Sequence, residues 1–484
     1  MRAIVSRREF FRIAPLSAAG VWAGVGGFTN LATSLSLPRE VAAQAGSPAN
    51  RPFLMLTLGD SIMWGQGLPE NMKFRNIVAS WIQGQLGGRP VKQFAYAHSG
   101  AQIMVNSGET DYAPNLSGEI PRSYPSITRQ ALNMALNDVV AGAVDLILLD
   151  GGINDVGIAS ILLPTNSTGK VQEMADGTCV ARMGNLLQQV KTVFPKAAIV
   201  VTGYFQIASE QSDIVALTAL ISALGVAAGV EVGSLLGIPI GAAGAILGPL
   251  AKDQTVRNSV TWKNATDSGF GQLVVTLNQQ ADRPPRAAFA SPTFGAENCF
   301  AAPNSYLFNV APFNRFSGVE SAGLVSSFGV GEPSDPLAAV QWNRARACLI
   351  AGRKEAYCAD ACMGHPNPSG AQAYAAVVLS QIQTTLAPYL ATRGLVENPA
   401  CPSLRAQEGL LVGQITTAQS DLATNAKEQQ DCQAGTGGEP SHKPKQCGAA
   451  EYQKERERDT ATLHQAGAQL AKIRRQKSQA GCWY

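Results

Sequence analysis

The feature that most constrains the fold is a short apolar run that ends in a glycine, an aspartate and a serine. Residues 54–58 read Leu-Met-Leu-Thr-Leu, and Gly59, Asp60 and Ser61 follow directly. In an open parallel sheet, ligands bind beyond the carboxyl ends of the strands. The run therefore predicts a buried strand, Phe53–Leu58, that presents the Ser61 hydroxyl at the edge of a sheet. Gly-Asp-Ser also forms ordinary turns, so the rest of the chain has to decide between these interpretations.

Further strand-like runs follow, and helical patterns separate them. The runs lie at Val91–Tyr96, Asp145–Leu149, Ala198–Thr202 and around Ala287–Ala290. Strands that alternate with helices are typical of a parallel sheet covered on both faces. An apolar helical pattern from Ala373 to Ile382 closes the unit. The sequence therefore predicts a three-layer α/β/α domain over residues 46–395.

Chemically useful residues follow the ends of these predicted strands. Gly100 comes after the second run, Asn154 after the third, and His365 directly before the last helix. Acyl transfer by a serine needs a base within hydrogen-bonding reach and donors for the oxyanion. Each role has a candidate at the edge that carries Ser61. Taken singly, Gly100 and Asn154 are also explained by a tight turn and an Asx turn.

Four sequence blocks, in order, resemble those of the SGNH (GDSL-type) hydrolase family. The blocks are Gly59-Asp60-Ser61, Gly100, Gly152-Ile153-Asn154-Asp155 and His365-Pro366-Asn367. The resemblance covers roughly residues 52–390 and implies a flavodoxin-like sheet and ester hydrolysis. It implies Ser61 as the nucleophile and His365 as the general base. It also implies an oxyanion hole made by the backbone amides of Ser61 and Gly100 and the side-chain amide of Asn154.

The scarcity of histidine supports His365 as the base. The chain contains four histidines, and His442 and His464 lie in a C-terminal segment outside the predicted sheet. The base is therefore His98 or His365, and the neighbouring Pro366 favours His365. For His98 we expect a supporting or turn role.

The acid of the predicted triad departs from the family pattern. The orienting acid usually lies three residues before the histidine, where this chain has Cys362. Asp360 lies five residues before the histidine and is the predicted acid. Members of the family also use a backbone carbonyl there, since the acid mainly holds the imidazole tautomer. That alternative stays open.

The N-terminus is typical of an export signal. Arg7 and Arg8 resemble a twin-arginine motif, an apolar stretch follows, and residues 43–45 read Ala-Gln-Ala, as at a cleavage site. We expect a signal peptide over residues 1–45 and a periplasmic or secreted mature protein; the alternative is an N-terminal membrane helix. The formal net charge of +3 is too small to indicate a nucleic-acid partner.

The cysteines agree with export to an oxidising compartment. The chain has nine cysteines and no CxxC unit. Disulfides are favoured over a metal cluster, and an odd number leaves at least one thiol free. We predict no metal site and no other cofactor.

An unusually apolar insertion lies between the fourth and fifth predicted strands. Residues 214–250 contain Glu231 as their only charged side chain, and glycines recur every four residues from 225 to 241. A single membrane span would place Ser61 and His365 on opposite sides, so it is excluded. The insertion 213–251 is predicted to be a helical hairpin broken near Pro239, or an apolar cap over the active site that contacts lipid at a membrane surface. The alternative is a core insertion without a functional role.

The C-terminal segment, residues 396–484, is predicted to form an antiparallel helical hairpin. Apolar residues step by three and four from Leu411 to Leu422 and from Leu463 to Ile473, with a polar linker between them. Folding the two helices together predicts the disulfides Cys401–Cys482 and Cys432–Cys447. The hairpin has no catalytic group, and it either docks on its own domain or binds a protein partner.

These observations predict an exported serine esterase that acts on acyl esters, lipids among them. A carbohydrate O-acetylesterase would use the same residues, and a non-catalytic surface binding protein would keep the same fold. The sequence leaves the acyl and alcohol moieties open.

Overall fold

The structure is a computed structural model. It describes residues 51–109, 125–227, 249–279, 284–309, 337, 339–340, 362–397, 400–434, 450–480 and 482. The predicted signal peptide (1–45), Asp360, Cys447 and the side chain of Cys432 lie outside the described residues.

Five parallel strands form the sheet that the sequence predicts. They are β1 (Phe53–Leu58), β2 (Val91–Ala95), β3 (Leu146–Leu149), β4 (Ala198–Thr202) and β5 (Ala287–Ala290). The strand order is β2-β1-β3-β4-β5, and each neighbouring pair is parallel. This is the flavodoxin-like order, in which successive strands are added on one side of β1 and then, from β3 onward, on the other side. Ligands of such sheets bind at that switch point, beyond the carboxyl ends of these two strands.

Helices connect the strands and cover both faces. They are α1 (Ser61–Trp64), α2 (Phe74–Gln85), α3 (Ile127–Arg129), α4 (Ala135–Asp138), α5 (Ile153–Val156), α6 (Ile158–Leu162), α7 (Thr168–Met174), α8 (Ala181–Val193), α9 (Ile214–Ala227), α10 (Pro249–Gln279), α11 (Pro368–Gln383), α12 (Ala387–Ala391), α13 (Cys401–Ala434) and α14 (Ala450–Ala480). Two π-helical segments, Gln130–Met134 and Ala175–Val180, join α3 to α4 and α7 to α8. Short 3₁₀ turns lie at Glu70–Met72, Ala141–Ala143 and Ala296–Asn298.

Aromatic contacts show how the layers pack. In one layer, Phe74 of α2 stacks on Tyr374 of α11 at 5.2 Å between ring centroids. In the other, Phe270 of α10 meets Phe289 of β5 edge to face at 6.2 Å. All residues of β1, β3 and β4 are buried, as expected for strands covered on both faces, whereas the edge strand β2 is partly exposed. The predicted three-layer α/β/α architecture is confirmed.

A buried ion-pair cluster lies at the amino end of the sheet. Asp145, directly before β3, accepts two hydrogen bonds of 2.8 Å from the Arg51 guanidinium and one of 2.8 Å from Arg393 Nε. It also accepts the Leu54 amide of β1 at 2.9 Å, and Arg89 lies 3.5 Å away. The cluster therefore ties the segment after the last helix of the sheet domain to the first and third strands.

The apolar insertion begins inside the main core. Leu217, Leu220 and Ile221 of α9 are buried in the same hydrophobic cluster as the sheet, as is Trp262 of α10. Residues 228–248, the middle of the insertion, lie outside the described residues. Among the described helices, none combines the length and hydropathy needed to cross a membrane.

Helices α13 and α14 form the predicted antiparallel hairpin. Glu408 pairs with Arg474 at 2.9 Å, and Asn425 lies 3.5 Å from Asp459, so residue numbers rise on one helix as they fall on the other. A separate apolar cluster lies between the helices, formed by Leu411, Ala466, Leu470 and Ile473.

A disulfide closes the open end of the hairpin. Cys401 and Cys482 are joined, with their Cα atoms 5.2 Å apart, as the sequence predicts. The predicted Cys432–Cys447 pair falls on residues whose side chains are not described. Cys179 and Cys299 are buried free thiols, which confirms the expected unpaired cysteine.

Candidate active site

The turn after β1 presents Ser61 at the carboxyl edge of the sheet. Gly59 has a φ of +155°, and a Cβ at this position would overlap Asp150 Oδ1, so only glycine fits. Asp60 caps helix α1, because its Oδ1 accepts the Ile62 amide at 2.9 Å. Ser61 is therefore the first residue of the helix, where no intrahelical carbonyl is available to its amide.

Two side chains hold this turn in place. Gln130 accepts the Gly59 amide at 2.8 Å and donates to the Gly59 carbonyl at 3.0 Å, as a neighbouring strand would. Asp150, which follows β3, accepts the Asp60 amide at 2.8 Å. The Ser61 turn is thus held by one side chain from the connection between β2 and β3 and by one from the residue that follows β3.

His365 lies against the Ser61 hydroxyl. The distance from His365 Nε2 to Ser61 Oγ is 2.8 Å, and His365 Nδ1 lies 3.2 Å from the Cys362 carbonyl oxygen. A carbonyl only accepts, so Nδ1 carries the proton and Nε2 is free to accept from the serine. The structure thus brings the predicted nucleophile and base into direct contact.

The segment around His365 is anchored to an earlier loop. The Phe308 amide donates to the His365 carbonyl at 2.8 Å, and the Gly364 amide donates to the Phe308 carbonyl at 2.9 Å. Asn367 caps α11 by accepting the amides of Ser369 and Gly370 at 3.0 and 3.1 Å. The helix start and the loop together fix the position of the imidazole.

Burial keeps the imidazole neutral. His365 is partly buried, and desolvation lowers its pKa to about 4, against the opposing effect of the Cys362 and Met363 carbonyls. At neutral pH the ring therefore carries one proton and can accept another.

The two remaining blocks lie on turns that contact each other and the Ser61 turn. Gly100 has a φ of +78° in the turn after β2, and the His98 amide there donates to the Gly59 carbonyl at 3.0 Å. Asn154, at the start of α5, donates from Nδ2 to the Ala101 carbonyl at 3.1 Å. The predicted oxyanion residues Gly100 and Asn154 are therefore on adjoining loops. The His98 ring contacts the Ser99 carbonyl at 2.9 Å, a local contact within its own turn.

Close packing surrounds the Asn154 turn. Gly152 has a φ of +117°, and a Cβ there would overlap the Cys179 sulfur. Asp155 accepts the Ile103 amide at 2.9 Å and the Arg182 guanidinium at 2.6 Å. These contacts tie the Asn154 turn to the loop that carries Gly100.

Two buried carboxyl groups, those of Asp60 and Asp150, contact the backbone of the Ser61 turn. Burial raises the pKa of Asp60 to about 6, and it raises the pKa of Asp150 well above its ordinary value, with the Asp60 charge adding to the effect. Both side chains hold backbone of the Ser61 turn, so they have a supporting position.

Some supporting residues were not predicted from the sequence. Tyr204 donates its hydroxyl proton to Asp60 Oδ2 at 2.9 Å. Its position two residues after the fourth predicted strand, at the same carboxyl edge as Ser61, was the available signal. Gln130 has no such signal, because it holds Gly59, which lies 71 positions away in the sequence.

The predicted acid Asp360 is outside the described residues, and the group that contacts His365 Nδ1 is the Cys362 carbonyl. Among described side chains, no group of three or more His, Cys, Asp or Glu could hold a metal ion.

Comparisons with solved structures find esterases of low identity. An extracellular lipase from Streptomyces rimosus is 12% identical, with a TM-score of 0.33, and the match covers 54% of this chain and 89% of the lipase. A phospholipase A1 from Streptomyces albidoflavus NA297 is 16% identical, with a TM-score of 0.32, over 62% of this chain and 100% of that chain. A family two carbohydrate esterase from Clostridium thermocellum is 14% identical, with a TM-score of 0.27, over 53% and 59% respectively. No family model and no curated protein matches. With such TM-scores, these likenesses do not establish the activity of this chain.

Proposed function

We propose that this protein is an exported serine hydrolase of carboxylic esters. The observation that carries the proposal is the 2.8 Å contact between Ser61 Oγ and Nε2 of His365, a partly buried imidazole whose lowered pKa keeps it neutral. A serine is a weak nucleophile until an adjacent base takes its proton, and this pair meets that requirement.

The reaction would proceed through an acyl-enzyme. Ser61 Oγ attacks the ester carbonyl carbon while His365 Nε2 takes the hydroxyl proton. The resulting oxyanion is stabilised by the amides of Ser61 and Gly100 and by Asn154 Nδ2. Nε2 then gives its proton to the departing alkoxide, and a water molecule activated by the same nitrogen hydrolyses the acyl-enzyme.

The Cys362 carbonyl would take the orienting role of a triad acid. It accepts from His365 Nδ1 at 3.2 Å and so selects the tautomer with Nε2 free. A neutral carbonyl stabilises the imidazolium less than a carboxylate does, so the pair works as a dyad. This is the alternative that the sequence left open beside Asp360, which lies outside the described residues.

The start of α9 supports an acyl-ester substrate with a long chain. Leu220 is buried beside Gly364, where a Cβ would lie 3.3 Å from Leu220 Cδ1, and Gly364 directly precedes His365. The insertion thus packs a core side chain against the loop that carries the base, and we propose that the acyl or alcohol chain of a substrate passes beside this contact. Apolar contact with each further methylene would add binding free energy.

A chain-length series of aryl esters, from acetyl to palmitoyl, tests both levels of the proposal. We expect hydrolysis that rises with chain length and is abolished in Ser61→Ala. Preference for acetyl esters, with release of acetate from acetylated sugars, would indicate an O-acetylesterase instead. Absence of turnover on every ester would indicate a binding protein.

Leu220→Ala, with Leu217→Ala as a matched control on the same helix, tests the acyl-chain site. Both side chains are buried, so both variants should lose stability. We expect Leu220→Ala alone to lower the ratio of long-chain to acetyl kcat/KM by about tenfold, because one pocket methylene accounts for about 10–200-fold discrimination. Equal ratios in the two variants would contradict the assignment.

A further inference from the structure

Tyr204 joins two turns of the candidate active site through one hydroxyl. It lies two residues beyond β4 and is buried. Its hydroxyl donates to Asp60 Oδ2 at 2.9 Å and accepts the Ile153 amide at 3.0 Å. Asp60 lies 144 positions and Ile153 lies 51 positions from Tyr204 in the sequence.

Each end of this link is next to a residue of the proposed mechanism. Asp60 precedes Ser61 and caps its helix, with Oδ1 on the Ile62 amide and Oδ2 on the tyrosine. Ile153 precedes Asn154, the proposed side-chain donor to the oxyanion. The hydroxyl therefore sets the distance between the nucleophile turn and the oxyanion turn.

We infer that Tyr204 is a positioning residue that holds the Ser61 and Asn154 turns at the separation which ester hydrolysis needs. The inference rests on the proposed function. Tyr204 acts through Asp60 and Ile153 and does not contact the reacting atoms. Because oxyanion donors stabilise the transition state only when they are already in place, loosening this link would lower kcat more than it changes KM.

The surroundings of Tyr204 make the link rigid. Its ring packs against Trp262 and Phe270 of α10, at 5.9 and 6.5 Å between ring centroids. Burial, with the nearby Asp60 and Asp150 carboxyl groups, raises the phenol pKa well above its ordinary value, so the hydroxyl keeps the proton that it donates.

Tyr204→Phe removes the hydroxyl and keeps the ring, and Tyr374→Phe is the matched control. Tyr374 is also fully buried, and its hydroxyl makes one hydrogen bond, to the Gly203 carbonyl at 3.0 Å. Both variants leave a buried backbone group without its partner, so both should unfold at a lower temperature. We expect Tyr204→Phe to lower kcat by roughly ten- to a hundredfold, below the full loss of a donor, with KM nearly unchanged. Tyr374→Phe should keep kcat within about threefold.

A double-mutant cycle with Asn154→Ala identifies the mechanism. If Tyr204 acts by placing Asn154, removal of the hydroxyl should cost less than about threefold in kcat once the Asn154 amide is gone. Tyr374→Phe should have the same small effect in both backgrounds. Full additivity of Tyr204→Phe and Asn154→Ala, or equal kcat losses in the two tyrosine variants, would overturn the inference.

The design separates this inference from the proposed function. If wild-type turnover disappears in Ser61→Ala, the assignment as a serine hydrolase stands, whatever the kcat values of the tyrosine variants. If Tyr204→Phe does not fold, Asp60→Ser replaces it, because the serine Oγ can still cap the helix while the second oxygen that accepts the tyrosine proton is lost. A kcat loss for Asp60→Ser that disappears in the Asn154→Ala background supports the link, and an unchanged kcat overturns it.

Discussion

The pH dependence of ester hydrolysis follows from the way His365 is held. The partly buried imidazole of His365 faces the Cys362 carbonyl among the described residues, and desolvation lowers its pKa to about 4 from an ordinary 6.5. At 1.36 kcal/mol per tenfold step, this difference favours the neutral ring by about 3 kcal/mol. The base should be about nine-tenths neutral at pH 5, where an ordinary histidine would be about 3% neutral.

The assay is kcat/KM for a short aryl ester between pH 3 and 8, because this parameter reports the free enzyme. We expect a constant value down to about pH 5 and a half-maximal value near pH 4. An apparent pKa of 6.5 or above would refute the reasoning and indicate a carboxylate partner such as Asp360. In that case Asp360→Asn should shift the profile; otherwise that variant should leave it unchanged.

Acid unfolding has to be separated from protonation of the base. Because the folded-state pKa of His365 is lowered, the unfolded chain binds more protons between about pH 4 and 6.5, and stability falls as the pH drops through this range. Asp60, whose pKa is raised to about 6, has the opposite effect between about pH 4 and 6. Incubation at each low pH, followed by assay at pH 7, measures the part of the loss that is reversible.

Three other predictions concern stability. Asp145→Asn leaves buried arginines without their partner and should lower the free energy of unfolding by about 3–5 kcal/mol in denaturant titrations; a loss under 1 kcal/mol would show that the cluster is not needed. Gly152→Ala should lower the melting temperature and kcat through its clash with the Cys179 sulfur, and adding Cys179→Ala should restore part of both; no recovery would exclude this clash as the cause. Replacing Cys401 and Cys482 by serine opens a loop with a sequence separation of 81, whose closure contributes about 4–5 kcal/mol through chain entropy. Helices α13 and α14 should then become protease-sensitive while ester turnover persists. If ester turnover is lost together with protease resistance, the hairpin supports the domain that carries Ser61.

The sequence predicted the sheet well because β1, β3 and β4 are short, fully buried and mostly apolar runs. β1, β4 and β5 have the residues expected of them, and the edge strand β2 ends one residue early. Asp145, expected as the first residue of the third strand, is instead the centre of the arginine cluster. The available signal was the charge of Asp145: a carboxylate is rarely buried unless it is paired, so a carboxylate at the start of a buried strand indicates an ion pair.

The contacts around Ser61 were harder to predict because they join distant parts of the chain. The Ser61–His365 pair was reached from ordered motifs, yet the Gln130 and Tyr204 contacts depend on register and helix placement. The acceptor for His365 Nδ1 is a backbone carbonyl, which every residue has, so no residue type could signal it. The apolar run from residue 214 has no clear hydropathy period, so the sequence did not show that Leu217, Leu220 and Ile221 are buried in the main core.

The central claim, that Ser61 is a nucleophile activated by His365, is tested most directly by covalent labelling. A fluorophosphonate reacts with an activated serine, and peptide mass spectrometry identifies the residue modified. We predict a single adduct on Ser61, its absence in Ser61→Ala, and labelling slowed at least a hundredfold in His365→Ala, since general-base catalysis supplies about that factor. An adduct on another serine, or labelling as fast in His365→Ala as in the native protein, would contradict the account.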